Sequence, residues 1–255
     1  MGKAMDSTKK MPILAVCGKG GVGKTVFSAL LSRVLIDAGY SPLLLVDADP
    51  VGGLTSAIGE TAADTLAGVR DRFINTARTG GKAELVKAAD ELDYFVLKAL
   101  VERDEYSLLA MGRNLEKGCF CSANNLLRTA IDSLIPSFSS MLIDAEAGIE
   151  QINRDVTGRV TQVVVVVDAS QRSMDTLRTI IEMVGPGQIS VVANRVESAE
   201  AFKLPEGIPL LGLIPENQEL RDFDRAGRPL WQLSTKNEAL LAVRKIAGVM
   251  GISKA

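Results

Sequence analysis

The feature that most constrains the fold is a glycine-rich loop near the start of the chain. Residues Gly18–Thr25 read GKGGVGKT and satisfy the pattern G-x4-G-K-T. The apolar run Pro12–Cys17 precedes the loop and predicts a buried strand. A helical pattern over Lys24–Asp37 follows it, and Gly39 is expected to end that helix. This order of strand, loop and helix is the context that a phosphate-binding loop requires, whereas the alternative is a glycine-rich turn without a ligand.

The loop predicts Mg-ATP binding on direct physical grounds. Glycines let backbone N–H groups approach phosphate oxygens closely, and the helix N-terminus adds a partial positive charge. Lys24 is expected to reach the β- and γ-phosphates, and the Thr25 hydroxyl to coordinate Mg²⁺. The residues expected to contact the nucleotide phosphates are Gly18, Gly20, Gly21, Val22, Gly23, Lys24 and Thr25.

The rest of the chain predicts an α/β fold with a doubly wound, mostly parallel sheet flanked by helices. Apolar residues make up 47% and aromatic residues only 4%, which suits strands covered on both faces. Further strands are predicted at Ser41–Val46, Leu92–Ala99, Tyr106–Met111, Ser140–Asp144, Gln162–Asp168, Ile189–Asn194 and Leu210–Ile214. Further helices are predicted at Thr61–Asn75, Lys82–Ala89, Leu126–Leu134 and Asn237–Val249. We expect a polar tail over residues 1–11 and a single domain over residues 12–255.

Carboxylates close two of the predicted strands. Ser140–Asp144 ends in an aspartate, and a buried strand with this ending is what a Walker B site needs to hold Mg²⁺. Asp47 and Asp49 follow the strand Ser41–Val46. Because ligands of such sheets bind at the carboxyl ends of the strands, all three are candidate site residues. The alternative for each is a turn or helix cap.

Two closely spaced cysteines, Cys119 and Cys121, suggest a metal site. With only Phe120 between them, both sulfurs face the same way in an extended segment. Two thiolates do not complete a tetrahedral site, and the chain has no histidine, so a two-fold dimer that supplies four thiolates would complete it. A redox pair and inert thiols remain open, and Cys17 is expected to lie in the core.

Charge and composition exclude several classes of protein. The net charge is −2 with no basic stripe, so we expect no nucleic-acid partner. The longest aliphatic run, Val163–Val167, is too short to span a bilayer, and the N-terminal tail lacks the apolar region of a signal peptide. Three unevenly spaced cysteines are typical of a reducing compartment. We therefore expect a cytoplasmic protein that binds no membrane.

The loop resembles the deviant Walker A loop of the MinD/ParA/nitrogenase-iron-protein superfamily, which has an early lysine as Lys19 is here. The resemblance implies an ATPase in which Lys19 reaches the partner's phosphates across a dimer, although binding in the same chain remains open. It also implies that Asp49 polarises the attacking water and that Asp47 lies near the Mg²⁺ shell. Glu146 and Gly148 would sense the γ-phosphate. The adenine contacts it implies are Asn194, Pro215 and Glu216, with a plain turn as the alternative for the asparagine.

Within that superfamily, three segments resemble the CooC-type branch, whose ATPases assist nickel insertion into carbon monoxide dehydrogenase, with an acetyl-CoA-synthase relative. They are Met111–Arg113, Gly118–Cys121 and Ala145–Glu150, and the tail segments Gly212–Glu216 and Gly227–Trp231 are similar too. The resemblance implies a homodimer that uses ATP to mature the metal centre of a client enzyme. Nickel is implied by resemblance alone, and four thiolates would equally suit Zn²⁺. Gln151 stands where the branch usually has a histidine.

Two other functions remain open at this point. The first is a positioning ATPase like MinD or ParA that acts on membrane or DNA, for which Leu240–Ile252 would be the candidate surface helix. We expect that segment to pack on the sheet instead. The second is an electron donor like nitrogenase iron protein, with a 4Fe–4S cluster held by four thiolates on the dimer axis. In that group the cysteines are usually well separated.

Overall fold

An eight-stranded sheet forms the centre of the computed structural model, which describes residues 12–79, 91–113, 132–145, 160–198 and 203–252. The strands are β1 Ile13–Gly18, β2 Leu43–Asp47, β3 Leu100–Glu102, β4 Tyr106–Ala110, β5 Ser140–Asp144, β6 Gln162–Val167, β7 Ile189–Asn194 and β8 Leu210–Ile214. Their order is β3-β4-β2-β5-β1-β6-β7-β8, and every pair is parallel except β3 with β4. The predicted α/β fold with a mostly parallel sheet is confirmed.

Helices cover both faces of this sheet. They are α1 Lys24–Asp37, α2 Gly53–Ala57, α3 Leu66–Thr79, α4 Leu92–Lys98, α5 Gln171–Val184, α6 Gln218–Arg225 and α7 Glu238–Val249. Two buried clusters, one on each face, form the core; α1 and α7 pack over one face and α3, α4 and α5 contribute to the other. Within the described ranges, no helix is long and apolar enough to cross a membrane.

The sheet brings three aspartates to one edge. β1 lies between β5 and β6 and is parallel to both. The loop that follows β1 therefore begins at the carboxyl end of the sheet, near its centre. Asp47 ends β2 and Asp144 ends β5, and the two are direct partners in the parallel register. Asp168 follows β6 at the same edge. Because strands in a parallel sheet all point the same way, a sequence that ends several strands in aspartate places these carboxylates together.

One predicted strand is wrong. Leu92–Ala99 was expected to be extended, but Leu92–Lys98 is the helix α4. Val96 and Ala99, three residues apart, are buried on its inner face, whereas Tyr94 and Leu97 are 55% and 52% exposed. Tertiary packing at helical spacing therefore overrides the strand preference of an apolar aromatic run. The edge strand β3 begins directly after it and pairs antiparallel with β4.

The helix predicted at Thr61–Asn75 begins later than expected. The structure has α3 at Leu66–Thr79, and the Thr65 hydroxyl accepts a hydrogen bond from the Gly68 N–H. Thr65 thus acts as an N-cap, a signal that favours a start after it. The helices Lys24–Asp37 and Asn237–Val249 are confirmed, the second with Asn237 as its cap. The helix predicted at Lys82–Ala89 and the tail 1–11 lie outside the described residues, as does most of Leu126–Leu134.

The segment after α6 packs against α1. The Trp231 indole N–H donates to the Ala29 carbonyl at 2.8 Å, and the indole ring meets the Tyr106 ring edge-on at 4.8 Å. Gly59, which follows α2, lies directly against Pro229 of this segment. A β-carbon at Gly59 would lie 2.4 Å from the Pro229 ring, so only glycine permits this approach.

We expect Gly59→Ala to destabilise the protein more than Gly39→Ala. Both glycines have positive φ, +81° and +88°, so each substitution costs about 1–2 kcal/mol of backbone strain. A β-carbon at Gly39 meets nothing within 4 Å, whereas that at Gly59 displaces Pro229 at a further cost of about 1–3 kcal/mol. Thermal unfolding followed by Trp231 fluorescence measures both losses. Equal losses would contradict the packing of this segment.

Candidate nucleotide site

The glycine-rich loop connects β1 to α1 at the carboxyl edge of the sheet. Gly23 has φ +96° and stands at the N-cap of α1 without a side-chain cap. A β-carbon there would lie 2.2 Å from the Asn194 amide nitrogen, so the residue must be glycine for both reasons. The uncapped N–H groups at the start of α1 are the donors that an anion at this position requires.

The two lysines of the loop hold different positions. Lys24 is buried, and its ammonium group donates to the Lys19 carbonyl at 3.2 Å across the loop. The Lys19 ammonium group lies 3.9 Å from the Asp168 carboxylate, and about a third of its side chain is exposed. Burial acts to raise the pKa of Asp168, but hydrogen bonds from Ser170 and Ser173 and the charge of Lys19 together lower it. Lys19 thus faces an ionised partner while it remains accessible to solvent.

Asp144 is a buried carboxylate under the first turns of α1. Its Oδ2 accepts from the Thr25 hydroxyl at 2.8 Å and its Oδ1 from the Ser28 hydroxyl at 2.7 Å. Burial raises the pKa of Asp144 to about 6; the two hydroxyl groups oppose the rise and the charge of Asp47 adds to it. The predicted Mg²⁺ residues Thr25 and Asp144 are therefore in direct contact.

Asp47 is fully buried at the end of β2. Its Oδ2 accepts from the Thr55 N–H at 2.7 Å and hydroxyl at 2.6 Å, and its Oδ1 from the Asp49 N–H at 3.2 Å. Burial raises the pKa of Asp47 despite these hydrogen bonds. In this structure Asp47 therefore joins β2 to α2 and sets the path of the turn that contains Asp49.

The carboxylate of Asp49 and the hydroxyl of Thr25 both lie beside Gly53. Its Oδ1 accepts from the Val51 N–H at 2.7 Å, which orients the carboxylate. A carbon placed on Gly53 would lie 3.3 Å from Asp49 Oδ2 and 3.5 Å from Thr25 Oγ1. The side chain of Asp49 is thus close to the threonine at the start of α1, where the sequence places a metal and a phosphate.

The three residues predicted to contact adenine line one small cavity. Asn194, Pro215 and Glu216 surround a volume of about 70 Å³ beside the loop, together with Val26, Arg195 and Arg221. The Asn194 amide donates to the Val22 carbonyl at 2.8 Å, so this side chain contacts the phosphate loop itself. Glu216 is paired with Arg221. Through Asn194, the wall of the cavity is thus joined to the phosphate loop.

Four residues at this site were missed from the sequence: Ser28, Thr55, Asp168 and Arg195. Asp168 ends an apolar run in the same way as Asp144, so the strand-end pattern that found Asp144 could have found it. Ser28 is three residues after Thr25 and lies on the same face of α1, which helical spacing also predicts. The contacts of Thr55 and Arg195 depend on the packing of separate elements.

The cysteines predicted to bind metal, Cys119 and Cys121, lie outside the described residues, as do Glu146, Gly148 and Gln151. Among the residues that the structure describes, no group of three or more cysteine, aspartate and glutamate side chains could hold a metal ion. Cys17 is fully buried in β1, and burial raises the pKa of its thiol to about 12. The expectation that Cys17 belongs to the core is confirmed.

The residues of the loop fit Mg-ATP. Thr25 Oγ1 and Asp144 Oδ2 are oxygen donors 2.8 Å apart, and Mg²⁺ binds through oxygen. The buried Lys24 supplies a positive charge at the loop, and the start of α1, which no side chain caps, directs backbone N–H groups to the same place. A triphosphate with its metal satisfies each of these groups.

We expect Asp144→Asn to stabilise the protein in the absence of nucleotide, and to do so more above pH 6 than near pH 4. Because the folded pKa is raised to about 6, the folded state holds a proton between pH 4 and 6 that the unfolded state releases. The stability that this proton contributes is present below about pH 4 and is lost as the pH rises through 6, by about 3 kcal/mol. Asparagine avoids this loss. Denaturant unfolding of both proteins at pH 8 and pH 4.5 measures it; a gain of equal size at both pH values would contradict the origin in charge burial.

Comparison with known proteins agrees with this geometry. The profile of the CobQ/CobB/MinD/ParA nucleotide-binding domain matches residues 13–230. The ATP-binding protein MJ0685 of Methanocaldococcus jannaschii is 36% identical over 248 residues, which cover 92% of this chain and 96% of that protein. The carbon monoxide dehydrogenase accessory protein CooC of Rhodospirillum rubrum is 31% identical over 94% of this chain and 99% of its own length.

Solved structures of similar fold include two ATPases of this group. The ParA family ATPase of Chlorobium tepidum has a TM-score of 0.71 at 15% identity and covers 94% of this chain and 99% of its own. MinD in the MinC:MinD complex of Aquifex aeolicus has a TM-score of 0.68 at 22% identity, with 95% and 96% covered. At these identities the likeness shows the fold alone. On the domain profile and the relatives above 30% identity, the chain belongs to the CobQ/CobB/MinD/ParA family of nucleotide-binding P-loop ATPases.

Proposed function

We propose that this chain is a dimeric ATPase that assists the maturation of a metal centre in a client enzyme, through nickel insertion into carbon monoxide dehydrogenase or acetyl-CoA synthase. The observation that carries the proposal is its 31% identity to the CooC accessory protein over nearly the full length of both chains. The Cys-x-Cys segment at Cys119 and Cys121 supplies thiolates for a metal, which is here the cargo. Zn²⁺ at the same thiolates is the alternative to Ni²⁺.

The described contacts support an assignment of roles at the nucleotide. Lys24 would bind the β- and γ-phosphates, and Thr25 and Asp144 would hold Mg²⁺. The metal, when bound, neutralises charge on the phosphates. Thr25 gives up its hydrogen bond to Asp144, while the bond from Ser28 keeps the carboxylate in place. Asp47 fixes the turn that carries Asp49, and we assign it to the surroundings of Mg²⁺.

Hydrolysis needs a positioned water and a compensating positive charge. Asp49 accepts from the Val51 N–H with one oxygen, and its other oxygen lies beside Gly53, as the Thr25 hydroxyl does. We assign that second oxygen to accept a proton from a water near the γ-phosphate. Lys19 is about a third exposed, and within the described ranges its ion pair is the 3.9 Å contact with Asp168, so we propose that it reaches the phosphates of a second chain. Its charge would then stabilise the transition state in the manner of an arginine finger.

The adenine side of the site rests on the small cavity beside the loop. Pro215 supplies an apolar wall, and Glu216 lies at the rim in its pair with Arg221. Asn194 is held by the Val22 carbonyl through its N–H, and its amide oxygen remains for the base. We assign these three residues to the adenine.

A positioning ATPase like MinD is the second candidate. A septum site-determining protein MinD of Guillardia theta is 28% identical over 86% of this chain. The segment that would contact a membrane surface includes α7, whose apolar residues Leu240, Val243 and Ile246 are buried against the sheet and α1. This packing favours the maturation role. An iron-protein-like electron donor is the third, and it would require iron at the cysteines.

We expect the double variant Cys119→Ala/Cys121→Ala to lose a metal that the wild-type chain binds. After loading with nickel or zinc, elemental analysis and size-exclusion chromatography should give about one metal per two chains in the wild type. The double variant should bind none and lose metal-induced dimerisation. Cys17→Ala is the matched control, because a buried thiol with a pKa of about 12 stays protonated and binds no metal.

Each other outcome of this experiment contradicts the maturation role. A wild-type chain without thiol-dependent metal that dimerises with ATP alone would favour the positioning ATPase, and co-sedimentation with vesicles or DNA then tests that function. A brown protein that contains iron and bleaches with dithionite would favour the electron donor.

A further inference from the structure

Arg195, directly after β7, has an unusual backbone conformation. Its φ is +59°, and no other non-glycine residue in the described part of the chain has a positive φ. The left-handed region is disfavoured for residues with a β-carbon, so the arginine holds strain that a glycine at this position would not. Such strain persists only where the surrounding structure enforces it, and it concentrates at functional sites.

The sheet enforces this conformation. The Arg195 N–H donates to the Ile214 carbonyl at 2.8 Å, and the following N–H of Val196 points to the same carbonyl at 3.4 Å. Two successive N–H groups therefore converge on the end of β8. The backbone turn is set by the pairing of β7 with β8, and the arginine side chain is not needed to form it.

The side chain reaches the phosphate loop instead. The guanidinium group donates to the Gly21 carbonyl at 3.3 Å, and the amide of the preceding residue, Asn194, donates to the Val22 carbonyl at 2.8 Å. Adjacent residues at the end of β7 thus hold two successive carbonyls of the loop. In a trans peptide the C=O and the next N–H point in opposite directions, so a held Val22 carbonyl directs the Gly23 N–H away from β7.

No charged partner competes for this guanidinium in the described ranges. Glu216, a carboxylate that lines the same cavity, is paired with Arg221. Asp224, which also lines the cavity, forms no ion pair with Arg195 in those ranges either. The Gly21 carbonyl is therefore the contact that the strained arginine makes with the site.

We propose that Arg195 is a positioning residue for the phosphate loop, which acts through the Gly21 carbonyl and increases affinity for the triphosphate independently of the base. The proposal rests on the proposed nucleotide site. An N–H nest binds phosphate only when its carbonyls point outward, and Arg195 holds one of them outward before the ligand arrives. The backbone strain is the cost of keeping a donor at this position.

The experiment compares Arg195→Gly, Arg195→Lys and the control Arg221→Ala, which removes a guanidinium from the same cavity. We expect Arg195→Gly to raise the melting temperature by about 2 °C, because it relieves the strain. The same variant should weaken binding of Mg-ATP and of Mg-tripolyphosphate by about fivefold each, the value of one hydrogen bond. Arg195→Lys keeps a donor and should restore part of the affinity, and Arg221→Ala should leave tripolyphosphate affinity unchanged. Calorimetry gives all of these affinities.

A higher melting temperature together with weaker binding in Arg195→Gly distinguishes a positioning residue from a structural one. A lower melting temperature with weaker binding would overturn the inference, since loss of structure then explains both. Weaker binding of ATP with unchanged tripolyphosphate affinity would assign Arg195 to the base and would also overturn it. A wild-type chain that binds ATP, with unchanged affinities in Arg195→Gly, overturns this inference alone. A wild-type chain that binds neither ligand overturns the proposed function as well.

Discussion

The buried carboxylate of Asp144 is the constraint on which the rest of the site depends. It stands at the end of a central strand, below the helix that begins at Lys24, and two hydroxyl groups of that helix donate to it. A buried charge is costly, and the raised pKa of about 6 is the measure of that cost. The hydrogen bonds fix the angle of α1 on the sheet and hold Thr25 where a metal and a phosphate are needed. We therefore expect a metal bound at Thr25 to replace one hydrogen bond to Asp144, while the bond from Ser28 would keep the carboxylate in place.

Three strand ends around Asp144 supply the other parts of the site. The turn after β2 carries Asp49, and Asp47 fixes that turn through Thr55 at the start of α2. The end of β6 carries Asp168, which faces Lys19, and the end of β7 carries Asn194 and Arg195, which hold the loop from the other side. Because all of these ends belong to one parallel sheet, a small shift of the loop is opposed from several directions. Lys19 is about a third exposed and pairs with Asp168 at 3.9 Å, which suits its proposed role across a dimer.

Short sequence patterns predicted most residues of this site. The remaining residues depend on contacts between elements that are far apart in the sequence. The helix Lys24–Asp37 and the strand ending in Asp144 follow from short patterns of glycine, apolar and acidic residues, and the structure agrees with both. The strand predicted at Leu92–Ala99 was wrong because its apolar aromatic run suits a strand locally, while packing of Val96 on the core makes Leu92–Lys98 a helix. No pattern in the sequence indicates that Arg195 has a positive φ, because the pairing of β7 with β8 imposes it. The maturation role depends on Cys119 and Cys121, and their chemistry is a question for metal analysis.

The crystal structure of the chain with Mg²⁺ and a non-hydrolysable ATP analogue tests the central claim most directly. The account predicts that Thr25 leaves Asp144 to bind the metal, that the hydrogen bond from Ser28 to Asp144 remains, and that Lys24 turns from the Lys19 carbonyl to the phosphates. A structure in which the triphosphate lies away from the loop, with Thr25 still bonded to Asp144, would contradict it.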